Sequence, residues 1–134
     1  MHRFAIRVRY GDTDQMGFAY YAHYLRWFEI GRTELLRDLG MSYASVERDL
    51  GVLLPVLTAH CDYKRSARYD DRVWIETAVA ELKRASMRFA YRIVHEDGGL
   101  LAIGYTEHCF LSRDGRPVRM PVELQQLMDR APRV

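Results

Sequence analysis

Two aspartates and a glycine, Asp12, Asp14 and Gly17, fall in the stretch Tyr10-Gly11-Asp12-Thr13-Asp14-Gln15-Met16-Gly17, a few residues ahead of a segment with helical periodicity. A carboxylate held in such a turn can attack a carbonyl carbon or take a proton from a water beside it. The helix that follows has no Ser, Thr, Asp or Asn immediately before it, so its first N–H groups need acceptors from elsewhere. Water can fill that need. So can the carbonyl oxygen of a ligand, because aligned amides at the positive end of a helix stabilise developing negative charge. Acyl transfer requires the carboxylate and the amides together. Spacing alone leaves a second reading open, in which both aspartates are ordinary turn formers.

Other reactive devices are missing from the chain. No serine lies in a GxSxG elbow, and the five histidines (His2, His23, His60, His95, His108) include no HExxH pair. The Cys and His spacings match no zinc pattern, and neither GxGxxG nor a P-loop occurs. A reactive group here would therefore be a carboxylate, with no metal and no cofactor expected. Lys83, Arg84 and Ser86 form a compact donor set, and Arg119 precedes the last helix. Such a set suits phosphate, although a solvated basic turn has the same composition. Lys64, Arg65 and Arg68 make a second basic cluster with no assigned role. Glu29 and Arg32 stand three apart on the long helix, a spacing that predicts an ion pair.

The elements that must carry these groups are legible from period. Phe4, Ile6 and Val8 alternate with Ala5, Arg7 and Arg9, as a strand does. From about Tyr21 to Leu39 the period is helical, with Tyr21, Tyr24, Leu25, Phe28, Leu35 and Leu39 on one stripe and Gly40 as a stop. Gly31 shares the stripe, where a missing side chain permits close packing. Met41 to Leu50 reads as a short second helix capped by Ser42. Strands follow at about Val52 to Lys64, Val73 to Val79, Met87 to Ile93 and Leu101 to Leu111, the last two joined by a turn at His95 to Gly99. Pro121 is placed at the first position of a C-terminal helix.

This pattern predicts an α+β fold in which one dominant helix covers a sheet of about five strands. The exposed sheet edges call for an oligomer. A chain of 134 residues fits one domain, residues 1–134. With 20 Lys and Arg against 18 Asp and Glu, the net charge of +2 argues against a nucleic-acid binder. No apolar run approaches the roughly 20 residues of a membrane span, and no signal-peptide core is present. Cys61 and Cys109 read as two buried thiols in a reducing compartment, with the cytoplasm as the default location.

The run from Tyr10 to Glu34 resembles the signature of the 4-hydroxybenzoyl-CoA thioesterase family, which includes acyl-CoA thioesterases associated with the Tol-Pal genes. The family pattern D-x-x-G, Y-x-x-Y, F-E and R-T-E falls on Asp14 to Gly17, Tyr21 to Tyr24, Phe28-Glu29 and Arg32-Thr33-Glu34. The likeness continues through Tyr63 to Asp71, Lys83 to Ser86 and Val118 to Pro121, so it covers essentially the whole chain in order.

The resemblance implies a hotdog fold, a long central helix wrapped by an antiparallel sheet, with sites at a dimer interface and often a homotetramer. It makes Asp14 the nucleophile or general base and the backbone amide of Tyr21 the group that polarises the thioester carbonyl, leaving Asp12 the turn role. Gly17, Lys83, Arg84, Ser86 and Arg119 are then the substrate-binding residues. The implied reaction is hydrolysis of a small or medium acyl- or aryl-CoA to the free acid and coenzyme A. A non-catalytic acyl-CoA-binding module and a thioesterase acting on acyl carrier protein are the alternatives. This chain departs from many relatives at two positions, with Tyr21 where they carry histidine and His23 where they carry asparagine. His23 is expected on the helix surface.

Overall fold

Alternating apolar and polar residues become strands, and the 3.6-residue period becomes one long helix. The computed structural model describes residues 1–134 and contains, in order, β1 (His2–Arg7), α1 (His23–Asp38), α2 (Tyr43–Ser45), β2 (Val52–Leu53), β3 (Val56–Tyr63), β4 (Arg72–Leu82), β5 (Ser86–His95), β6 (Leu100–Cys109), β7 (Leu111–Ser112) and α3 (Val122–Asp129). Five strands form an antiparallel sheet in the order β1-β4-β5-β6-β3, and β2 pairs with β7 in a separate two-stranded ribbon. The strand expected from Val52 to Lys64 is thus divided into β2 and β3, with Pro55 between them lacking the N–H a ladder needs. Ser42 caps α2 as expected, its hydroxyl accepting from the Ser45 N–H at 3.1 Å. Pro121 is the N-cap of α3 rather than its first helical residue.

Helix α1 lies on the inner face of the sheet. Tyr24, Trp27, Phe28, Gly31, Leu35 and Leu36 are its buried residues. The stripe is therefore rotated from the expected one: Tyr21 and Leu25 are exposed, while Trp27 and Leu36 are inside. The helix begins at His23, two residues later than its period suggested, so Tyr21 belongs to the loop and not to the packed face. Phe28 stacks on Tyr91 of β5 with ring centroids 4.3 Å apart and the planes 5° from parallel. Burying rings of this size contributes about 2–3 kcal/mol each. Gly31 sets the approach distance: a Cβ there would stand 2.4 Å from Thr77 Oγ1 and 2.6 Å from Ile75 Cγ2 on β4.

Glu29 and Arg32 do not form the predicted ion pair; Arg32 turns inward and donates to the Tyr91 hydroxyl at 3.5 Å. That bond begins a buried polar chain. Tyr91 OH lies 2.6 Å from Thr106 Oγ1, which lies 2.8 Å from His108 Nε2, and His108 Nδ1 lies 3.1 Å from the Leu54 carbonyl. A carbonyl only accepts, so Nδ1 of the neutral imidazole carries the proton and Nε2 accepts from Thr106. The donors then all point one way, from Arg32 to Leu54. Burial drives the His108 pKa down to about 4, with the Arg32 charge adding to the effect against the hydrogen bond to Leu54. Cys61 and Cys109 are free and half-buried.

Two measurements check this packing. Gly31→Ala should lower stability by about 1–3 kcal/mol, read by urea unfolding, because a backbone-anchored Cβ must push Ile75 and Thr77 aside. His108 is protonated near pH 6.5 when unfolded and near 4 when folded, so the native state binds fewer protons between those values. Stability should therefore fall as pH drops from about 6.5, by on the order of 2 kcal/mol at pH 5, ahead of carboxylate titration. His108→Gln should flatten that limb of the unfolding profile.

Candidate functional site

The loop between β1 and α1 is folded by its own backbone. A short 3-10 turn, Tyr10–Asp12, turns the chain away from the sheet, and its last residue, Asp12, is buried. Thr13 and Ala19 form an antiparallel bridge, and the Asp14 N–H donates to the Phe18 carbonyl at 2.9 Å. Gly17 closes the tip at φ +84°, a conformation that favours glycine, and its N–H donates to the Asp14 carbonyl at 3.0 Å. The second arm is tied to the segment before β4 by the Ala19 N–H donating to the Ala67 carbonyl at 2.8 Å.

This fold separates the two aspartates by chemistry. Both oxygens of Asp12 are engaged: Oδ2 accepts from the Arg9 N–H at 2.9 Å and Oδ1 from the Arg26 guanidinium at 2.5 Å. On Asp14, Oδ1 accepts from the N–H groups of Met16 at 2.9 Å and Phe18 at 3.4 Å. Asp14 Oδ2 has no donor within the chain. The carboxylate with a free oxygen is therefore Asp14. It borders a cavity of about 190 Å³ whose wall also includes Phe18, Tyr21, Tyr24, Tyr63 and Ser66. On its other side it borders an open cleft of about 540 Å³ beside Tyr10, Gly17 and Tyr69.

The helix start meets Asp14 in the smaller cavity. Its N-cap is Ala22, which has no side chain able to cap. The first helical amides are not orphans, however: His23, Tyr24 and Leu25 donate to the carbonyls of Tyr20, Tyr21 and Ala22 at 3.0, 3.3 and 3.3 Å. The amides left without an acceptor in the chain are those of Tyr21 and Ala22, one step before the helix. Tyr21 is held by its other peptide group, as its carbonyl accepts from the Tyr63 hydroxyl at 2.8 Å. Burial, and then the neighbouring Cys61, raise the Tyr63 phenol well above its ordinary pKa, so it remains a donor. The Tyr20 phenol is also raised, chiefly by its hydrogen bond with Tyr21, with the Asp14 charge adding a smaller push. His23 is half-buried at the first helical position, its ring edge-on to Tyr20 at 5.8 Å.

Tyr63 and Ser66 carried no individual signal in the sequence. Tyr63 is 42 residues from its partner Tyr21, and only the path of β3 along the sheet brings them together.

The basic residues gather in two places. Lys83, Arg84 and Ser86 make the β4–β5 hairpin, closed by the Lys83 N–H donating to the Ser86 carbonyl at 2.8 Å. The Met120 N–H donates to the Arg84 carbonyl at 2.9 Å, which brings Arg119 beside Arg84. Lys83 lies 3.3 Å from Glu81, while Arg84 and Arg119 are exposed and make no ion pair. This set sits at the far end of β4 from Asp14, about 30 Å away by strand length. The unassigned trio is nearer: Arg65 lines the Asp14 cavity and pairs with Asp97 at 3.0 Å, and Arg68 lies 4.9 Å over the Phe18 ring. No group of three or more His, Cys, Asp or Glu side chains converges to hold a metal ion, and no helix is long and apolar enough to cross a membrane.

Known proteins share this architecture. The sequence pattern of the thioesterase-like superfamily matches residues 8–128. An acyl-CoA thioesterase of Haemophilus influenzae is 34% identical over 91% of this chain and 90% of its own. A 1,4-dihydroxy-2-naphthoyl-CoA hydrolase of Synechococcus elongatus is 30% identical over 92% of both chains. Among solved structures, the DHNA-CoA thioesterase of Staphylococcus aureus superposes with a TM-score of 0.89 at 31% identity, covering 95% of this chain and 87% of that one.

Proposed function

The chain belongs to the thioesterase-like superfamily and is a hotdog-fold thioester hydrolase, and from that premise we propose that it cleaves acyl-CoA thioesters with Asp14 as the catalytic carboxylate and the Tyr21 amide as oxyanion donor. The observation that carries this reading is the shared cavity. Asp14, whose carboxylate has one unengaged oxygen, and Tyr21, whose backbone N–H has no acceptor, line the same 190 Å³ space. Other groups that could do chemistry, Asp12 and His108, have their polar atoms committed to structure.

A thioester carbonyl lodged there receives a hydrogen bond from Tyr21 as its oxygen gains charge. Asp14 then acts in one of two ways. It attacks the carbonyl carbon itself, giving a mixed anhydride that water hydrolyses, or it takes a proton from a water that attacks in its place. In both routes a C–O bond replaces the C–S bond, coenzyme A departs as a thiolate, and that thiolate needs no strong acid to leave. Tyr21 supplies a main-chain group, so the histidine that many relatives carry at this position is not required.

The coenzyme's phosphates are assigned to Lys83, Arg84, Ser86 and Arg119, and two copies of the chain are needed to bring them to Asp14. The sheet register supports this. Tyr63, at one end of the open edge strand β3, touches Tyr21, while Val56 at its other end pairs with His108, next to the Cys109–Ser86 pair. Antiparallel pairing of β3 with its copy about a two-fold axis would set the partner's hairpin end against this chain's Asp14 end. Tetramer formation and a cytoplasmic location remain part of the same proposal.

Asp14→Asn should cut kcat at least about a hundred-fold in thiol-release assays with hexanoyl-CoA and benzoyl-CoA, while the melting temperature and sedimentation stay those of the unsubstituted chain. Full turnover by this variant refutes the assignment. The triple change Lys83→Ala, Arg84→Ala, Arg119→Ala should instead raise KM about ten-fold or more with kcat retained, since it removes charge-assisted phosphate contacts made equally in ground and transition states.

A further inference from the structure

Asp12 has more bonds than a turn residue requires. It is 8% exposed, and its carboxylate joins the Arg9 N–H to the guanidinium of Arg26, in the first turn of α1. Its own carbonyl accepts the Tyr20 N–H at 2.8 Å, and its own N–H donates back to Arg9 at 2.9 Å. The two reacting groups of the site lie next to these bonds in sequence: Asp14 follows Asp12 by two residues, and Tyr21 follows Tyr20 by one. We propose that the Asp12–Arg26 ion pair is the positioning element of this site, clamping the loop to helix α1 so that the Asp14 carboxylate and the Tyr21 amide keep a fixed separation.

This inference rests on the catalytic reading of Asp14 and Tyr21 and adds to it a residue pair that touches neither substrate nor reacting atoms. The physical need is specific. The loop is largely exposed from Tyr10 to Gly17, and Asp14 is fixed within it by bonds that are local to the loop tip. Those bonds orient the carboxylate within the tip but do not say where the tip sits relative to α1. The bridges to Ala67 and Arg68 tie the second arm to the segment before β4, which reaches the helix only indirectly, through the Ala67 N–H donating to the Tyr24 hydroxyl at 3.1 Å. Asp12 supplies a direct link to α1 through Arg26, and its carbonyl also holds Tyr20, three residues before the helix begins. A pair with one member largely buried holds its geometry better than an exposed one: side-chain exposure is 12% for Asp12 and 50% for Arg26. Displacing a reacting group by about 1 Å costs on the order of a hundred-fold in rate.

The test uses the full chain and whichever of hexanoyl-CoA and benzoyl-CoA it turns over faster. Asp12→Asn and Arg26→Gln should each lower kcat about ten- to a hundred-fold with KM changed less than about two-fold. The double variant should be no slower than the slower single one, since both remove the same link. Arg26→Lys, which keeps the charge, should recover several-fold over Arg26→Gln. Unchanged kcat in both single variants overturns the proposal, as do losses that multiply in the double variant or a rise in KM at constant kcat. If Asp12→Asn does not fold, the Gln and Lys changes at half-exposed Arg26 decide the matter alone. Asp14→Asn is run alongside: full turnover there defeats the catalytic reading itself, whereas an inactive Asp14→Asn with fully active Asp12 and Arg26 variants defeats only the clamp.

Discussion

The close approach of α1 to the sheet at Gly31 is the contact on which the remaining geometry depends. With no side chain between them, the helix backbone rests on Thr77 and Ile75, and the rings of Trp27 and Phe28 fill the space to either side. Gly104 makes the matching concession on β6, where a Cβ would stand 2.6 Å from the Phe28 ring. The depth of that seating sets where the helix starts relative to the sheet. The peptide groups of Tyr20, Tyr21 and Ala22 are carried to the rim of the sheet, beside the end of β3 and the segment before β4. The helix-start side of the candidate site thus depends on packing about two turns away.

The loop bearing Asp14 solves a different problem, that of keeping one carboxylate oxygen unsatisfied within a segment rich in donors. Unpaired backbone N–H groups at loop tips would bind any nearby carboxylate. Here the tip amides of Met16 and Phe18 converge on Asp14 Oδ1, and the Arg26 guanidinium is absorbed by Asp12. The other Asp14 oxygen therefore stays available. Asp12 and Asp14 are two residues apart and of the same type, yet burial and partners divide their work.

In the proposed assembly the edge strand β3 is the element that joins two copies. It is exposed along most of its length, with Val56 and Leu57 among the exposed apolar residues. Such an edge, with its row of unpaired N–H and C=O groups, is a template for another strand. The separation between Asp14 and the basic hairpin gives the same edge a functional meaning in the proposed site, because a two-fold pairing joins opposite ends of two sheets. The interior chain from Arg32 to His108 ends on the Leu54 carbonyl, just before β3, and carries no reacting atom in this reading.

Local pattern was enough to establish most of the sheet strands, the long helix and the absence of a capping side chain, because each depends on residues within a few positions of one another. Ordered motifs along the chain likewise fixed the family. The pattern misjudged the edges of the buried stripe of α1: Tyr24, Phe28, Gly31 and Leu35 lie on it as expected, but Trp27 and Leu36 flank them inside while Leu25 lies outside, because period alone does not say which side of the stripe meets the sheet. It also paired Glu29 with Arg32, because spacing reports who can meet along a helix and not that Tyr91, from another strand, competes for the guanidinium. Which aspartate keeps a free oxygen, that Tyr63 braces Tyr21, and that Arg119 joins the Lys83–Ser86 hairpin were decided only by tertiary structure. These contacts join residues 14 to 42 positions apart, and their existence depends on strand register and helix depth, quantities that no window of sequence contains.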